Sequence, residues 1–260
     1  MTKDQLRTFI ENNKDALHAE KCRRSFYYFI KQFWEVIISD DPIWNWHMEV
    51  LCNYMQKYGE AVRDSVIKET DLVVNVPPGT TKSTICTIMF PAWLWTIFPQ
   101  ARILTGSYSS DLAMDHSTKS RDIIQSPKYQ RYFPYIRMRK DQNNKSKYRN
   151  LHNGERYSVG IFGAVTGFHA HIIIIDDPLT PNMADSDEMR NKANNFFSNT
   201  IPTRKINKKV TPLILIMQRL HEDDPAGNMI SKGTVVENLK MPGTDEYEIC
   251  PPSLKALYKD

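Results

Sequence analysis

Leu72–Phe90 reads LVVNVPPGTTKSTICTIMF, and the fold turns on this stretch. Leu72–Val76 is a short run of branched apolar residues, the composition of a strand buried on both faces. From Ser83 the pattern becomes helical and runs to Phe98. Pro77–Thr84 must therefore turn the chain tightly between strand and helix. Such a turn aims successive backbone N–H groups and a helix start at one point, which suits a phosphate. In that reading Pro78, Gly79, Thr80, Thr81, Lys82, Ser83 and Thr84 line the ligand. Lys82 supplies a point charge to the outer phosphates, and Ser83 a hydroxyl to magnesium. The glycines of the pattern GxxxxGK[ST] would fall at positions occupied here by Val76 and Thr81. Prolines donate no N–H, so the cradle begins at Gly79, and Thr81 must adopt an unusual φ or the loop must differ in shape. An ordinary strand–turn–helix with a surface lysine is the alternative.

Working outward, His171–Pro178 reads HIIIIDDP. Four isoleucines followed by two aspartates put carboxylates at the carboxyl end of a buried strand, where open α/β sheets bind ligands. Asp176 is the candidate magnesium carboxylate, and Asp177 the candidate for orienting and deprotonating an attacking water. Adjacent side chains on an extended strand point opposite ways, so joint action requires the strand to end there. A strand closing in an acidic turn is the plainer alternative. In PLILIMQRLHEDD, Gln218 follows a third buried run and is a candidate γ-phosphate sensor, or a capping glutamine. Trp46 and His47 are candidates to flank an adenine, or core residues of a helical stripe.

Short apolar runs at Leu72–Val76, Arg102–Ser107, Tyr157–Phe162, His171–Ile175, Pro212–Met217 and Thr234–Leu239 alternate with helical stretches. Those stretches are Ser83–Phe98, Ser110–Gln125, Ser186–Ser198 and Asp223–Ser231. The alternation predicts a doubly wound α/β domain on a mostly parallel sheet. Before it, Lys21–Ile38 carries aromatic residues at helical spacing. The turn Asp40-Asp41-Pro42 suits the start of a second helix over Ile43–Tyr58. Arg137–Arg149 and Thr203–Lys209 are basic and poor in apolar residues, which predicts exposed loops.

The 260 residues suffice for one large domain, at 41% hydrophobic and 25% charged residues with a net charge of +4. That mild basicity is compatible with a polyanionic partner. No apolar run approaches the roughly 20 residues of a membrane span, and the amino terminus is too polar for a signal peptide. Cys22, Cys52, Cys86 and Cys250 are scattered, without a CxxC pair, which favours a reducing setting. His169 and His171 have ligand-like spacing, but no third ligand accompanies them.

In order along the chain, the motifs FIKQFW, WNWHMEVL, NVPPGTTKST, FPAW, SYSSDLAMDHSTKSRDIIQSPKYQRYFP, GAVTGFHAHIIIIDDP and QRLHEDDPAG together resemble the ATPase part of a phage terminase large subunit, the motor that packs viral DNA. The resemblance spans roughly residues 26 to 230. It implies a P-loop NTPase fold of the RecA-like kind with an N-terminal helical extension. The implied division is 1–62 as helical region, 63–242 as ATPase core and 243–260 as a segment leading toward a nuclease domain. It also implies ATP and Mg2+ as ligands, double-stranded DNA gripped by its phosphates, portal protein and small terminase subunit as partners, a ring of copies, and the host cytoplasm as the place of work. Lys82, Asp177 and Gln218 would then carry the catalytic roles, and Ser83 with Asp176 the metal.

Three departures bear on hydrolysis. The loop lacks the arginine that many relatives carry there, the second acid is Asp177 rather than glutamate, and Gln218 replaces a small hydroxyl residue. An arginine from a neighbouring copy gains importance, with Arg102, Arg121, Arg131, Arg137 and Arg139 as candidates. Slow turnover by the isolated domain is expected. A metal-dependent nuclease using Asp176, Asp177, Asp185 or Asp223, and a nucleotide-binding scaffold without turnover, are the alternatives from other classes.

Overall fold

The computed structural model describes residues 13–163, 165 and 167–259. Thr166 of the TG loop and the first 12 residues of the helical region lie outside the described residues.

The sheet has eight strands: β1 (Asp71–Asn75), β2 (Arg102–Ser107), β3 (Met138–Asn143), β4 (Lys147–Asn150), β5 (Glu155–Gly160), β6 (Ile172–Asp176), β7 (Leu213–Met217) and β8 (Val236–Lys240). Their spatial order is β3-β4-β5-β2-β6-β7-β1-β8. From β5 to β8 every neighbouring pair is parallel, whereas β3–β4 and β4–β5 are antiparallel. The mixed α/β architecture and the mostly parallel sheet agree with the expectation.

Side-chain alternation explains why the central strands read as continuous apolar runs. Leu72, Val74, Ile172, Ile174, Ile214 and Ile216 pack into one core, while Val73, Ile173, Ile175, Leu213, Leu215 and Met217 pack into another on the opposite face. Each of these side chains contributes roughly 1.5–3 kcal/mol by leaving water. The first core is closed by three amino-terminal helices, α1 (Lys14–Arg24), α2 (Phe26–Phe33) and α3 (Trp46–Arg63). Phe26, Phe29 and Phe33 meet Trp93, Tyr129 and Phe133 there in tilted and edge-to-face pairs. The helix after the phosphate-binding candidate loop opens with a wide π turn, Thr84–Met89, before α4 (Phe90–Ile97). The next elements are α5 (Ser110–Gln125) and α6 (Pro127–Tyr132), capped by Ser109 and Ser126. The second core is covered by α7 (Pro181–Ala184), α8 (Asp187–Asn195), α9 (Ile201–Arg204) and α10 (Pro225–Ser231). A 3-10 segment, Pro252–Lys259, ends the described chain.

Four expectations are corrected. Lys21–Ile38 is not one helix: Ser25 is extended, and its hydroxyl accepts from Tyr28 N–H to start α2 afresh. The second helix starts at Trp46 after Asn45, four residues beyond Pro42. The basic stretch Arg137–Arg149 is mostly the hairpin β3–β4, an edge whose polar residues hide the strand pattern. Within Thr203–Lys209, Lys205 is half-buried with its side chain largely covered and Nζ 3.2 Å from Asp71, although Lys208 and Lys209 are exposed.

Candidate functional site

Because β7 lies between β1 and β6, three sequence-distant features emerge side by side at the carboxyl ends of adjacent strands. They are loop 77–84 after β1, Asp176–Asp177 at the end of β6, and Gln218 after β7. This is the edge at which open α/β sheets bind ligands.

The loop is held by its own hydroxyls. Thr80 Oγ1 donates to Pro77 O at 2.7 Å and Thr81 Oγ1 to Thr80 O at 2.6 Å. Gly79 has φ +76° and Thr81 φ +59°. The departure from the glycine pattern is therefore met by a threonine in the left-handed region, an uncommon and strained place for a β-branched residue. Pro78 and Gly79 are exposed, and Ser83 and Thr84 are half-buried at the helix start. Lys82 is buried at 6% exposure, with Nζ 3.2 Å from Asp177 Oδ1.

Asp177 resolves the alternation problem noted in the sequence. Its φ of +43° ends the strand in a left-handed turn, fixed by Asp177 N–H donating to Ile216 O at 2.8 Å. The two carboxylates thereby share one neighbourhood. Burial pushes both upward from the ordinary carboxylate range, and the charge of Asp176 pushes Asp177 further, while Lys82 opposes both shifts. Asp176 is 1% exposed. Its Oδ2 accepts from Thr87 Oγ1 at 2.7 Å, and the Thr87 and Ser83 hydroxyls oppose the upward push of burial on its carboxyl. Its Oδ1 has no hydrogen-bond partner.

The backbone N–H of Gln218 weakly opposes the upward shift of the Asp177 carboxyl. His47 Nε2–H donates to Thr80 O at 3.2 Å, and Trp46 lines the same cavity as Thr80, Val76 and Pro77. Trp46, His47 and the loop are thus brought together. His171 is committed elsewhere: its Nδ1 accepts from Arg102 N–H at 2.9 Å and its ring packs on Phe98. Arg102 opens β2 at the opposite end of the sheet, beside Glu155 at 3.7 Å, and Arg131 pairs with Asp15 at 3.4 Å. Asp185 and Asp223 do not join Asp176 and Asp177, since no group of three His, Cys, Asp or Glu fit to hold a metal ion occurs among the described residues.

Three residues behind the carboxylates escaped the sequence reading. His116 Nδ1 lies 3.8 Å from Asp176 Oδ2, and burial together with the Arg156 charge pushes the imidazole down to about 4. Thr87 is both the donor to Asp176 and, through its carbonyl, the acceptor of Arg156 Nη2 at 2.9 Å. Arg156 is wholly buried, with Nε and Nη1 unpartnered. Thr87 follows Ser83 by one helical turn, which is a usable signal. Arg156 carries none, because only the strand order brings β5 near this helix.

The arrangement can bind an anion at the loop, hold a divalent cation with Ser83 and Asp176, and offer Asp177 as a proton acceptor. The unpartnered Asp176 Oδ1 and the adjacent Ser83 hydroxyl are hard oxygen ligands of the kind magnesium takes alongside phosphate oxygens.

No protein-family model matches the chain, and no curated protein matches it. Among solved structures it is similar to the HK97 bacteriophage large terminase, at a TM-score of 0.50 and 15% identity. The likeness covers 78% of this chain and 42% of that one. The chain thus spans less than half of that terminase's length, and the likeness is one of fold.

Proposed function

We propose that the chain is the ATP-hydrolysing motor domain of a phage terminase large subunit, driving double-stranded DNA into a procapsid. The observation that carries this reading is the meeting of Lys82, Ser83, Asp176 and Asp177 at one edge of the sheet, with Asp176 buried and short of a partner. A terminase-like fold supports the choice among phosphate-handling proteins.

In this reading the loop amides from Gly79 to Thr84 and Lys82 hold the β- and γ-phosphates. Magnesium, held by Ser83 and Asp176, would supply charge neutralisation at the phosphates when bound. A triphosphate competes with Asp177 for the Lys82 ammonium, which frees the Asp177 carboxylate to face water. Asp177 then takes a proton as the water oxygen bonds to the γ-phosphorus and the bond to the β–γ bridging oxygen breaks, giving ADP and phosphate. The backbone N–H of Gln218 favours the charged form of Asp177, so movement of the loop after β7 would be felt at the base. An arginine from a neighbouring copy completes the charge balance, worth about 10³–10⁵ in rate.

DNA would be gripped at its phosphates, without sequence preference and with strong salt dependence. Exposed Arg137, Lys145, Lys208 and Lys209 are the candidates. Lys147, Arg149 and Lys205 are already committed to buried carboxylates. Portal protein and small subunit are the partners this reading implies.

The test is steady-state ATPase activity across protein concentration for wild type, Lys82→Ala and Asp177→Asn. Activity per subunit that rises with concentration, and falls at least about 10²-fold in both variants, is expected. No wild-type activity at any concentration removes the enzyme reading.

A further inference from the structure

Beside the phosphate-binding candidate loop lies a cavity of about 610 Å³, within the size range of small-molecule sites. One wall comes from the start of α3, with Trp46 and His47. An adjoining wall comes from later in the chain, with Pro242, Leu257 and Tyr258. Thr80 of the loop closes the end nearest the phosphates, and His47 is bonded to it.

The second wall is delivered by a specific path. After β8, Met241 N–H donates to Asn75 O at 3.0 Å, which ties the exit of the strand to the base of the loop. Lys240 and Cys250 then exchange both backbone hydrogen bonds, at 2.8 and 3.0 Å, and pinch off the intervening residues. The segment Pro252–Lys259 is thereby returned across the cavity. Tyr258 Oη donates to Pro242 O at 2.9 Å, and its ring meets Trp46 at 4.8 Å between centroids, inclined by 62°. Both rings are only half-buried and keep surface toward the cavity they line.

We infer that Pro252–Lys259 is a strap forming the outer wall of a nucleobase subsite, with Tyr258 and Trp46 as a joined aromatic corner against which the base packs. The inference rests on the nucleotide reading above and extends it to a segment that the motifs do not reach. The ligand class is the planar, aromatic base of a nucleoside triphosphate whose phosphates lie on loop 77–84. A base–aromatic contact is tolerant of sequence but demands a ring. The strap is weakly held otherwise: of its described side chains Leu254 alone packs on the main core, and Ser253, Lys255 and Ala256 are exposed. Such an element sits at the low-stability end of a fold and is ordered by whatever binds beneath it. Base binding and strap closure are therefore coupled, and each strengthens the other by the same factor.

Calorimetry on the full chain, with Mg-ATP and separately with magnesium tripolyphosphate, tests this. Tyr258→Ala is expected to weaken ATP about 5- to 150-fold, the loss carried by one aromatic stack, and to leave tripolyphosphate affinity unchanged. Tyr258→Phe keeps the ring and loses only the bond to Pro242, and should retain most of the ATP affinity. Hydrogen exchange should show residues 252–259 protected by ATP and not by tripolyphosphate. A wild type that binds ATP while Tyr258→Ala binds it equally well overturns the strap alone. Equal weakening of both ligands by Tyr258→Ala, or equal protection by both, also overturns it, because Tyr258 would then only support the loop. A wild type that binds neither ligand takes down the nucleotide reading and the strap together.

Discussion

Asp71 and Glu155 open β1 and β5 at one end of the sheet, and Asp176 closes β6 at the other, yet the fold treats these buried acids differently. Asp71 has Lys68 Nζ at 2.9 Å, Lys205 Nζ at 3.2 Å and an N–H bond from Leu213 at 2.7 Å. Glu155 has Arg149 at 3.0 Å and Lys147 at 3.1 Å, with Arg102 at 3.7 Å. Asp176 has one hydroxyl bond, from Thr87, and an oxygen with no partner, while the nearby Lys82 ammonium is paired with Asp177. Burial therefore does not separate a structural acid from a functional one. The counter-charge does: Glu155 Oε1 and Asp176 Oδ1 both lack a hydrogen-bond partner, but Glu155 Oε1 has two cations within 3.1 Å and Asp176 is paired with neither lysine nor arginine among the described residues. A buried carboxylate without a counter-charge costs stability that a fold without use for it would have removed.

The largest effect that could break this comparison is at Asp71. Asp71→Ala would leave the largely covered Lys205 side chain without its counter-charge, and should lower the unfolding free energy by about 3–5 kcal/mol. Urea denaturation at pH 7 measures it. Mg-ATP affinity of the folded fraction should not change, since Asp71 lies at the opposite end of β1 from the loop. A loss below about 1 kcal/mol would place Asp71 in the class of weak surface pairs and remove the contrast.

Glu155 sharpens the same point through pH. Burial pushes this carboxyl upward, but hydrogen bonds from Arg149 and Lys147 outweigh it, so its pKa lies below the ordinary value of 4.5. A depressed folded pKa gives stability that is fully present above 4.5 and is lost as pH falls through the lower folded value. Glu155→Gln should cost about 2 kcal/mol at pH 7, the order of its charged hydrogen bonds. It should also flatten the acid limb of the stability curve below pH 4.5. Thermal unfolding from pH 3 to 7 would show it, and parallel curves for both proteins would contradict the assignment.

Asp176 should move the other way. Its folded pKa is raised by burial, so the native state binds more protons than the unfolded one, and stability falls as pH rises through that interval. Asp176→Asn removes the charge at constant shape and should raise stability at pH 7 by about 1–2 kcal/mol in metal-free buffer. Wild type should gain thermal stability from Mg-ATP by mass action, whereas the variant should not. A destabilised Asp176→Asn would mean that the carboxylate is satisfied after all.

How much of this was readable beforehand follows from the range of the interactions involved. LVVNV, HIIII and LILIM announced β1, β6 and β7 because strands buried on both faces need apolar residues at every position. The loop and the DD pair were legible for the same reason, as polar residues abruptly ending such runs. The hairpin β3–β4 was hidden because an edge strand can be polar throughout. The pairing of Lys205 with Asp71 was hidden because the partners meet only after β7 is laid beside β1. Tyr258 was invisible for a related reason, since a lone aromatic near the end of a polar segment carries no period. Where a residue's role depends on its neighbours in sequence, the pattern showed it; where it depends on strand order, only the folded chain could.

The smallest effect concerns the loop itself. Thr81 sits at φ +59°, where a residue with a Cβ pays about 1–2 kcal/mol and a β-branched one is a genuine outlier. Glycine at this position removes that cost but adds freedom to the unfolded chain, a loss of about 0.4–1 kcal/mol. The difference leaves Thr81→Gly more stable by about 0.5–1 kcal/mol, provided the Thr81 hydroxyl bond to Thr80 O contributes little in so tight a ring. Chemical denaturation decides the stability, and ATPase activity decides the meaning. Unchanged activity would make the threonine a tolerated departure from the glycine pattern, with the loop shaped by Gly79, His47 and the helix that follows. Reduced activity would put the strain at Thr81 beside the unmet oxygen of Asp176 as a second cost borne at the same end of the sheet. The carboxyl edge would then differ from the amino edge in its backbone as well as in its charges.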